Sequence, residues 1–250
     1  MKKERLDLLL VKKNLVSSRE EAKRLILAGK VSAIGKPGLV LKPSQLFGLD
    51  QDFELTEKEK YVSRGGYKLE ALFQAVPLKL EGKVCLDVGS STGGFSDCLL
   101  QQGARTVYCV DVGKGLLHWK LRSDPRIKVK EGINARYLKK EDFDTLFDFI
   151  SVDVSFISLK LILPPLFPLL SPQGKVCALI KPQFEVGRHL VGKKGIVRDE
   201  KLREKLIGEL ELWLESHYPM QTLAVIPSPI LGQEGNQEYL WLLERKLSGH

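Results

Sequence analysis

Four charged residues stand where a chain of alternating strands and helices would put chemistry: Lys68, Asp153, Lys181 and Glu238. Asp153 follows the apolar run Phe147-Asp148-Phe149-Ile150-Ser151-Val152, and Lys181 follows the apolar run 176–180. Glu238 heads a further run over 238–243, and Lys68 opens a helical pattern over 68–75 with Leu69, Leu72 and Phe73 inward. The first three runs read as strands, so all four residues can face one rim. Two ammonium groups and two carboxylates on one rim can orient a substrate group, take up its proton, or stabilise a developing charge. Each residue alone also has a plain reading as a solvated lysine, a strand-end charge or an edge-strand acid. Lys68 stands out because a positive charge in a helix's first turn is mildly unfavourable.

The element that must organise this rim is Lys83-Val84-Cys85-Leu86-Asp87-Val88-Gly89-Ser90-Ser91-Thr92-Gly93-Gly94-Phe95. It reads as a buried strand over 84–88, a glycine turn, and a helix from Phe95 to Gln102. That is the opening unit of a doubly wound α/β domain, where ligands sit outside the carboxyl ends of the strands. The turn departs from the G-x-G-x-x-G of nicotinamide-binding proteins. It resembles motif I of S-adenosylmethionine-dependent methyltransferases. That resemblance makes Asp87, Gly89, Ser90, Ser91, Thr92, Gly93, Gly94 and Phe95 candidate cofactor contacts. A second strand ends at Asp111, an acid able to accept hydrogen bonds from both hydroxyls of a ribose. Asp87 and Asp111 also have a plainer reading as caps of the next helices. Strands are expected near 84–88, 106–110, 127–130, 148–153, 175–180, 222–226 and 238–243. Helices are expected near 93–102, 114–120, 158–169 and 200–217. Seven strands with crossover helices fit a Rossmann-like α/β methyltransferase sheet.

The residues after the fourth strand discriminate among methyl-transfer chemistries. An exocyclic-amine methylase would carry Asp/Asn-Pro-Pro-Tyr/Phe there, and a cytosine carbon-5 methylase would carry a nucleophilic Pro-Cys. The chain has Asp153-Val154-Ser155-Phe156 and neither motif. Lys68, Asp153, Lys181 and Glu238 instead match, residue by residue, the K-D-K-E tetrad of ribose 2'-O-methyltransferases of the FtsJ-like class. In that chemistry Lys181 is the candidate base. It must lose its proton to act, and Lys68 favours that while Asp153 and Glu238 oppose it. Lys181 can equally remain charged and stabilise the alkoxide. Asp153 also counts among the candidate cofactor contacts.

Charge separates the N-terminal segment from the rest. Residues 1–47 carry 11 Lys or Arg against 4 Asp or Glu, a net of +7, so the other 203 residues hold only +1 of the chain's +8. Such a basic block points to a polyanion, nucleic acid first. Two short helices are expected: one over 5–13, and one after Ser17 or Ser18, with Glu20 and Glu21 in its first turn and Gly29 as its stop. A hairpin is expected next, Lys30–Ile34 turning at Gly35-Lys36-Pro37-Gly38 into Leu39–Lys42. Residues 48–60 read as one edge strand around Phe53 and Leu55, then a linker. Arg5-Leu6-Asp7, Ser18-Arg19-Glu20-Glu21-Ala22 and Gly29-Lys30-Val31 resemble the RNA-binding module named after ribosomal small-subunit protein four. The resemblance implies that Arg5, Arg19, Lys23, Arg24 and Lys30 meet phosphates. The chain departs from it in the hairpin, with Ser32-Ala33-Ile34-Gly35 where the module carries Val-Asn-Gly.

Taken whole, the chain resembles the TlyA family, in which this module is fused to an FtsJ-like methyltransferase. Further carriers of the resemblance are Tyr61-Val62-Ser63-Arg64-Gly65-Gly66, Lys181-Pro182-Gln183-Phe184-Glu185 and Gly195-Ile196-Val197-Arg198-Asp199. The expected domains are 1–60, the small basic module and linker, and 61–250, the methyltransferase. The resemblance implies 2'-O-methylation of cytidine in ribosomal RNA, with ribosomal subunits as partners. It also brings Asn134, after the third strand, near the adenosine, although a turn asparagine is the plainer reading. Family members are also called haemolysins. A membrane-lytic protein and a silent RNA-binding scaffold are therefore the competing expectations. Cys85, Cys98, Cys109 and Cys177 form no C-x-x-C pair, so no metal is expected and buried thiols are. The tract 156–170 is short, carries Lys160 and three prolines, and does not reach spanning length. The start Met1-Lys2-Lys3-Glu4-Arg5-Leu6-Asp7 lacks the apolar core of a signal peptide. A cytoplasmic location is the expectation.

Overall fold

The computed structural model describes residues 3–36, 38–55, 60–187, 191–192, 195–232 and 235–246. It divides into two compact units, Met1–Lys60 and Tyr61–His250.

In the smaller unit, helix α1 (Leu6–Lys12) and helix α2 (Arg19–Leu27) pack through Leu6, Leu9, Leu10, Ala22 and Ile26. Ser18 caps α2, its hydroxyl accepting from the Glu21 amide at 3.2 Å. This satisfies one of the amides that a helix start leaves free. Two small antiparallel ladders close the unit. Strand β1 (Lys3–Arg5) pairs with β3 (Leu46–Gly48), and β2 (Val31–Ala33) pairs with β4 (Phe53–Leu55). The expected hairpin is therefore corrected. Val31–Ala33 does form a strand, but its partner is Phe53–Leu55, and residues 39–42 form no strand. Val40 faces solvent while Leu41 enters the core, so one side chain of that run anchors it without a ladder. Pro37, at the expected turn, lies outside the described residues, as do 56–59 of the expected linker.

The larger unit is built on a seven-stranded sheet. Its strands are β5 (Val84–Val88), β6 (Thr106–Asp111), β7 (Ile127–Glu131), β8 (Phe147–Val152), β9 (Leu170–Ile180), β10 (Met220–Pro227) and β11 (Tyr239–Arg245). Their order across the sheet is β10-β11-β9-β8-β5-β6-β7. Strands β7, β6, β5, β8 and β9 run parallel, and β11 and β10 are antiparallel additions. Strand order reverses between β5 and β8, the switch point at which such sheets open a crevice. Helices α3 (Gly65–Ala75) and α4 (Gly94–Gln101) bury Leu69, Leu72, Phe95 and Leu99 on one face of the sheet. On the other face lie the short α6 (Leu159–Ile162) and the long α8 (Glu200–His217), through Leu159, Leu206, Leu210 and Leu214.

Several elements differ from expectation, among them β9, which starts at Leu170 and not at 175. Helix α3 begins at Gly65, not at 68, because the two glycines pack inside its first turn. A Cβ on Gly66 would stand 2.2 Å from the Tyr61 ring, so only glycine fits there. The expected helix 158–169 is split into α6 and a 3-10 segment over Pro164–Leu169, since prolines remove the amides an α-helix needs. The expected helix 114–120 shrinks to α5 (Trp119–Arg122), because Gly115 at φ +71° interrupts it.

Candidate active site

Glycines at the switch point make room for a cavity of about 290 Å³. Its walls are the turn 89–92, Gly94 and Phe95, the segment Ser63-Arg64-Gly65 with Lys68, and Asp153. Gly89 has φ +80°, and a Cβ there would lie 2.3 Å from the Asp153 carbonyl oxygen. Gly94 is as confined, with a Cβ 2.3 Å from Ser63 Oγ. Two backbone segments thus approach each other at glycines, and side chains there would fill the crevice.

The charged tetrad resolves into two ion pairs. Lys68 Nζ lies 2.5 Å from Glu238 Oε2, at 12% and 4% side-chain exposure. Lys181 Nζ lies 2.6 Å from Asp153 Oδ1 and donates to Ser155 Oγ at 2.9 Å. Lys68 rides on the fourth residue of α3, Glu238 directly precedes β11, Asp153 directly follows β8, and Lys181 directly follows β9. Antiparallel pairing of β11 with β9, Tyr239 opposite Ile180, brings the Glu238 and Lys181 positions to the same sheet edge. The Asp153 amide donates to Val88 O at 2.9 Å and so fixes the end of β8 against β5. Lys68 and Asp153 share the cavity wall. Charges this sheltered are costly unless paired, and here each ammonium has a carboxylate.

The acids of the motif strands hold backbone and hydroxyl groups. Asp87 is fully buried behind the turn, its oxygens accepting from Ser96 Oγ at 2.5 Å and Ser151 Oγ at 2.9 Å. Burial lifts its carboxyl to about 6, against the pull of the two hydroxyl donors and with a further push from Asp153. Asp111 accepts from the Ser91 amide at 2.8 Å and the Gly113 amide at 2.7 Å, which braces the glycine turn from the side. Gly93, at φ +96°, packs against Leu117 and Leu121. Asn134 caps a 3-10 turn over Ala135–Tyr137, its Oδ1 accepting from the Arg136 amide at 3.0 Å. Asp87, Gly93, Asp111 and Asn134 stand off the cavity wall, whereas Gly89, Ser90, Ser91, Thr92, Gly94 and Phe95 are on it.

Sequence reasoning missed two parts of the site. Ser63, Arg64 and Gly65 belong to the wall, and their signal was the Arg64-Gly65-Gly66 run at the start of α3. Ser155 and Phe156 belong to the rim beside Lys181. Phe156 is 89% exposed, adopts φ +65°, and meets Phe184 at 5.0 Å between ring centroids. A left-handed backbone at a bulky exposed aromatic is uncommon and costs free energy unless its surroundings fix it.

The basic candidates of the smaller unit lie on its surface, and several have acid partners. Arg5 donates twice to Asp7 at 3.0 Å, and Arg19 Nε donates to Asp7 Oδ2 at 2.9 Å. Lys23 pairs with Glu20 at 3.1 Å. Arg24 is exposed, and Lys30 is half-buried. The four cysteines are buried free thiols. Among the described residues, no cluster of His, Cys, Asp and Glu could hold a metal ion.

The model of the FtsJ-like methyltransferase family matches residues 61–245. The chain belongs to the FtsJ-like methyltransferase family. An S4 domain matches residues 4–32 ahead of it. This FtsJ-like chain is 47% identical, over 96% of its length and 85% of the relative's, to the Bacillus subtilis protein YqxC, which carries an rRNA methyltransferase name. It is 40% identical to the 16S/23S rRNA (cytidine-2'-O)-methyltransferase TlyA of Mycobacterium tuberculosis, over 95% of its own length and 89% of the relative's. A solved structure from Streptococcus thermophilus that carries a hemolysin name superposes with a TM-score of 0.75 at 43% identity. It covers 99% of this chain and 90% of that one.

Proposed function

We propose that this FtsJ-like methyltransferase transfers a methyl group from S-adenosylmethionine to a ribose 2'-hydroxyl of ribosomal RNA, a cytidine by analogy with its TlyA relative. The observation that carries this reading is the pair of lysine–carboxylate bridges at the rim of a glycine-walled cavity. The crevice suits the cofactor because small residues clear its floor, and Asp111, off the wall at the end of β6 where it braces the turn, is assigned to the ribose hydroxyls. When bound, the cofactor supplies an activated methyl group. The chain's own task is then to hold a hydroxyl in line and manage its proton.

Lys181 is the group we assign to that proton. Its Nζ is fixed between Asp153 and Ser155, so any proton it gains has a carboxylate waiting beside it. Lys68 adds a second positive charge to the rim, which suits an anionic substrate oxygen. Glu238 holds Lys68 and limits the repulsion. Phe156 offers an exposed ring at the same rim, suited to stacking on a splayed-out base. In the smaller unit, Arg5, Arg19, Lys23, Arg24 and Lys30 are assigned to phosphate contacts, and Asn134 to the adenosine side of the cofactor.

The test is transfer of labelled methyl from S-adenosylmethionine to unmodified small and large ribosomal subunits. Wild type is expected to label a ribose 2'-oxygen. Lys181→Ala is expected to lose at least a hundredfold in rate while still binding RNA. Label on a base atom, or full activity in Lys181→Ala, would discard the assignment. The hemolysin name that several relatives carry supports a second reading, membrane lysis. Among the described residues, no helix is long and apolar enough to cross a membrane. Release of contents from lipid vesicles by a chain that labels neither subunit would favour that reading.

A further inference from the structure

We propose that Glu185 is a positioning residue that clamps the loop carrying Asp153, Ser155 and Phe156 onto the segment carrying Lys181. The inference rests on the methyl-transfer reading for its kinetic consequence, though its geometric half stands without it. Glu185 closes the short helix α7 (Pro182–Glu185), four residues beyond Lys181. Both of its oxygens are engaged across the gap. Oε2 accepts from Ser158 Oγ at 2.6 Å, and Oε1 accepts from the Leu159 amide at 2.7 Å. Leu159 is a core residue of the sheet's second face, so the clamp is anchored in packed structure. Ser158 also caps α6 by accepting from the Lys160 amide at 3.2 Å, which leaves its hydroxyl hydrogen for Glu185. Burial raises the Glu185 carboxyl above its ordinary range, while the Ser158 and Leu159 donors draw it back.

The clamped loop has reason to need holding. It runs from Asp153 through Ser155 to Phe156, and Phe156 carries the left-handed φ of +65°. Such a backbone costs on the order of 1–3 kcal/mol unless its surroundings fix it. Three links join the loop to the Lys181 segment: Lys181 to Asp153 and Ser155, Phe156 to Phe184, and Glu185 to Ser158 and Leu159. The first two face the rim, where a substrate would sit. Glu185 bonds Ser158 and the Leu159 amide, neither of them a member of the tetrad, so its link can persist while Lys181 and Asp153 change partners. Hydrogen bonds to a carboxylate are about twice as strong as neutral ones, which suits a fixed hinge pin.

The experiment compares wild type, Glu185→Ala, Glu185→Gln, Ser158→Ala and the double variant Glu185→Ala/Ser158→Ala. Methyl transfer to ribosomal subunits is read as kcat and KM, and amide hydrogen exchange is read over the same chains. We expect kcat to fall about tenfold or more in Glu185→Ala, with both KM values within about twofold. The double variant is expected to fall no further, because one interaction is lost twice. Glu185→Gln is expected to recover part of kcat, since its Oε1 still meets the Leu159 amide. Exchange over 154–159 is expected to rise at least tenfold in Glu185→Ala, with 84–88 unchanged. Full kcat in folded Glu185→Ala, additive losses, or unchanged exchange over 154–159 would each overturn the clamp. If Glu185→Ala fails to fold, Ser158→Ala and Glu185→Gln carry the same expectations at smaller size. A wild type that labels neither subunit overturns the methyl-transfer reading instead, and the exchange result then decides the clamp alone.

Discussion

Asp7 and Asp87 are both carboxylates without solvent exposure, and their environments pull them in opposite directions. Asp7 receives the side-chain hydrogen bonds of Arg5 and then of Arg19. These outweigh the cost of burial and hold its carboxyl at about 2. A carboxyl lowered on folding stabilises the native state above its unfolded value, near 4, and the contribution is lost as pH falls through 2. Asp7→Asn should therefore cost roughly 2 kcal/mol at neutral pH and flatten the acid side of the stability profile. Thermal unfolding between pH 2 and 7 measures it, and an unchanged profile would refute the assignment. Asp87 is the reverse case. Burial lifts it to about 6, so the folded state holds the proton more tightly than the unfolded chain does. Its contribution to stability then declines as pH rises from about 4 to 6. Asp87→Asn should remove that decline, whereas a decline of undiminished size would assign it to another group.

At the scale of elements, the site depends on where strands end and on how closely the next turn passes. Gly89 tests this. Its φ of +80° already disfavours a side chain, and the nearest atom to a Cβ would be a backbone carbonyl that cannot swing aside. Gly115 has a similar φ of +71° with open space around it. Gly115→Ala should cost about 1 kcal/mol, from backbone strain alone. Gly89→Ala should cost more and displace Asp153, with methyl transfer lost while Gly115→Ala retains it. Equal effects in the two variants would mean that the close approach at β8 is unimportant. The same geometry explains what the sequence could reveal. Strand ends were legible because apolar runs stop abruptly at Asp111, Asp153 and Lys181, which placed two of the tetrad, while Lys68 and Glu238 joined them through the resemblance to the K-D-K-E pattern. The ladders of the smaller unit were not legible. β1 reads Lys-Glu-Arg and lacks any apolar period, and β2 finds its partner twenty residues on instead of across the adjacent turn. Glu185 was equally hidden. Nothing in Pro182-Gln183-Phe184-Glu185 announces that its acid turns inward to a serine 27 residues earlier.

For the whole molecule, the uneven charge is the property that bears on partners. Residues 1–47 concentrate net +7, offset in part by the acidic stretch 48–60, so Met1–Lys60 carries net +4 on 60 residues and Tyr61–His250 the same +4 on 190. Docking through phosphates releases counterions, so affinity should fall steeply as salt rises, with a slope that counts the contacts. The ion pairs within the smaller unit refine this expectation. Arg5 and Arg19 share the buried Asp7, which fixes both guanidinium groups but also neutralises part of their charge. Lys23 pairs with the exposed Glu20, a contact worth little in water and readily exchanged for a phosphate. Arg24, the next residue of the same helix, is exposed. Replacing Lys23 and Arg24 by alanine should therefore lower the slope of log affinity against log salt by about one to two and weaken binding to all RNA sequences alike. Arg19→Ala should do less to the slope and more to stability, because it leaves Asp7 with one partner fewer. Binding of ribosomal RNA measured from 50 to 300 mM salt separates the two effects. If the slope is untouched by Lys23→Ala/Arg24→Ala, the polyanion is held elsewhere on the chain.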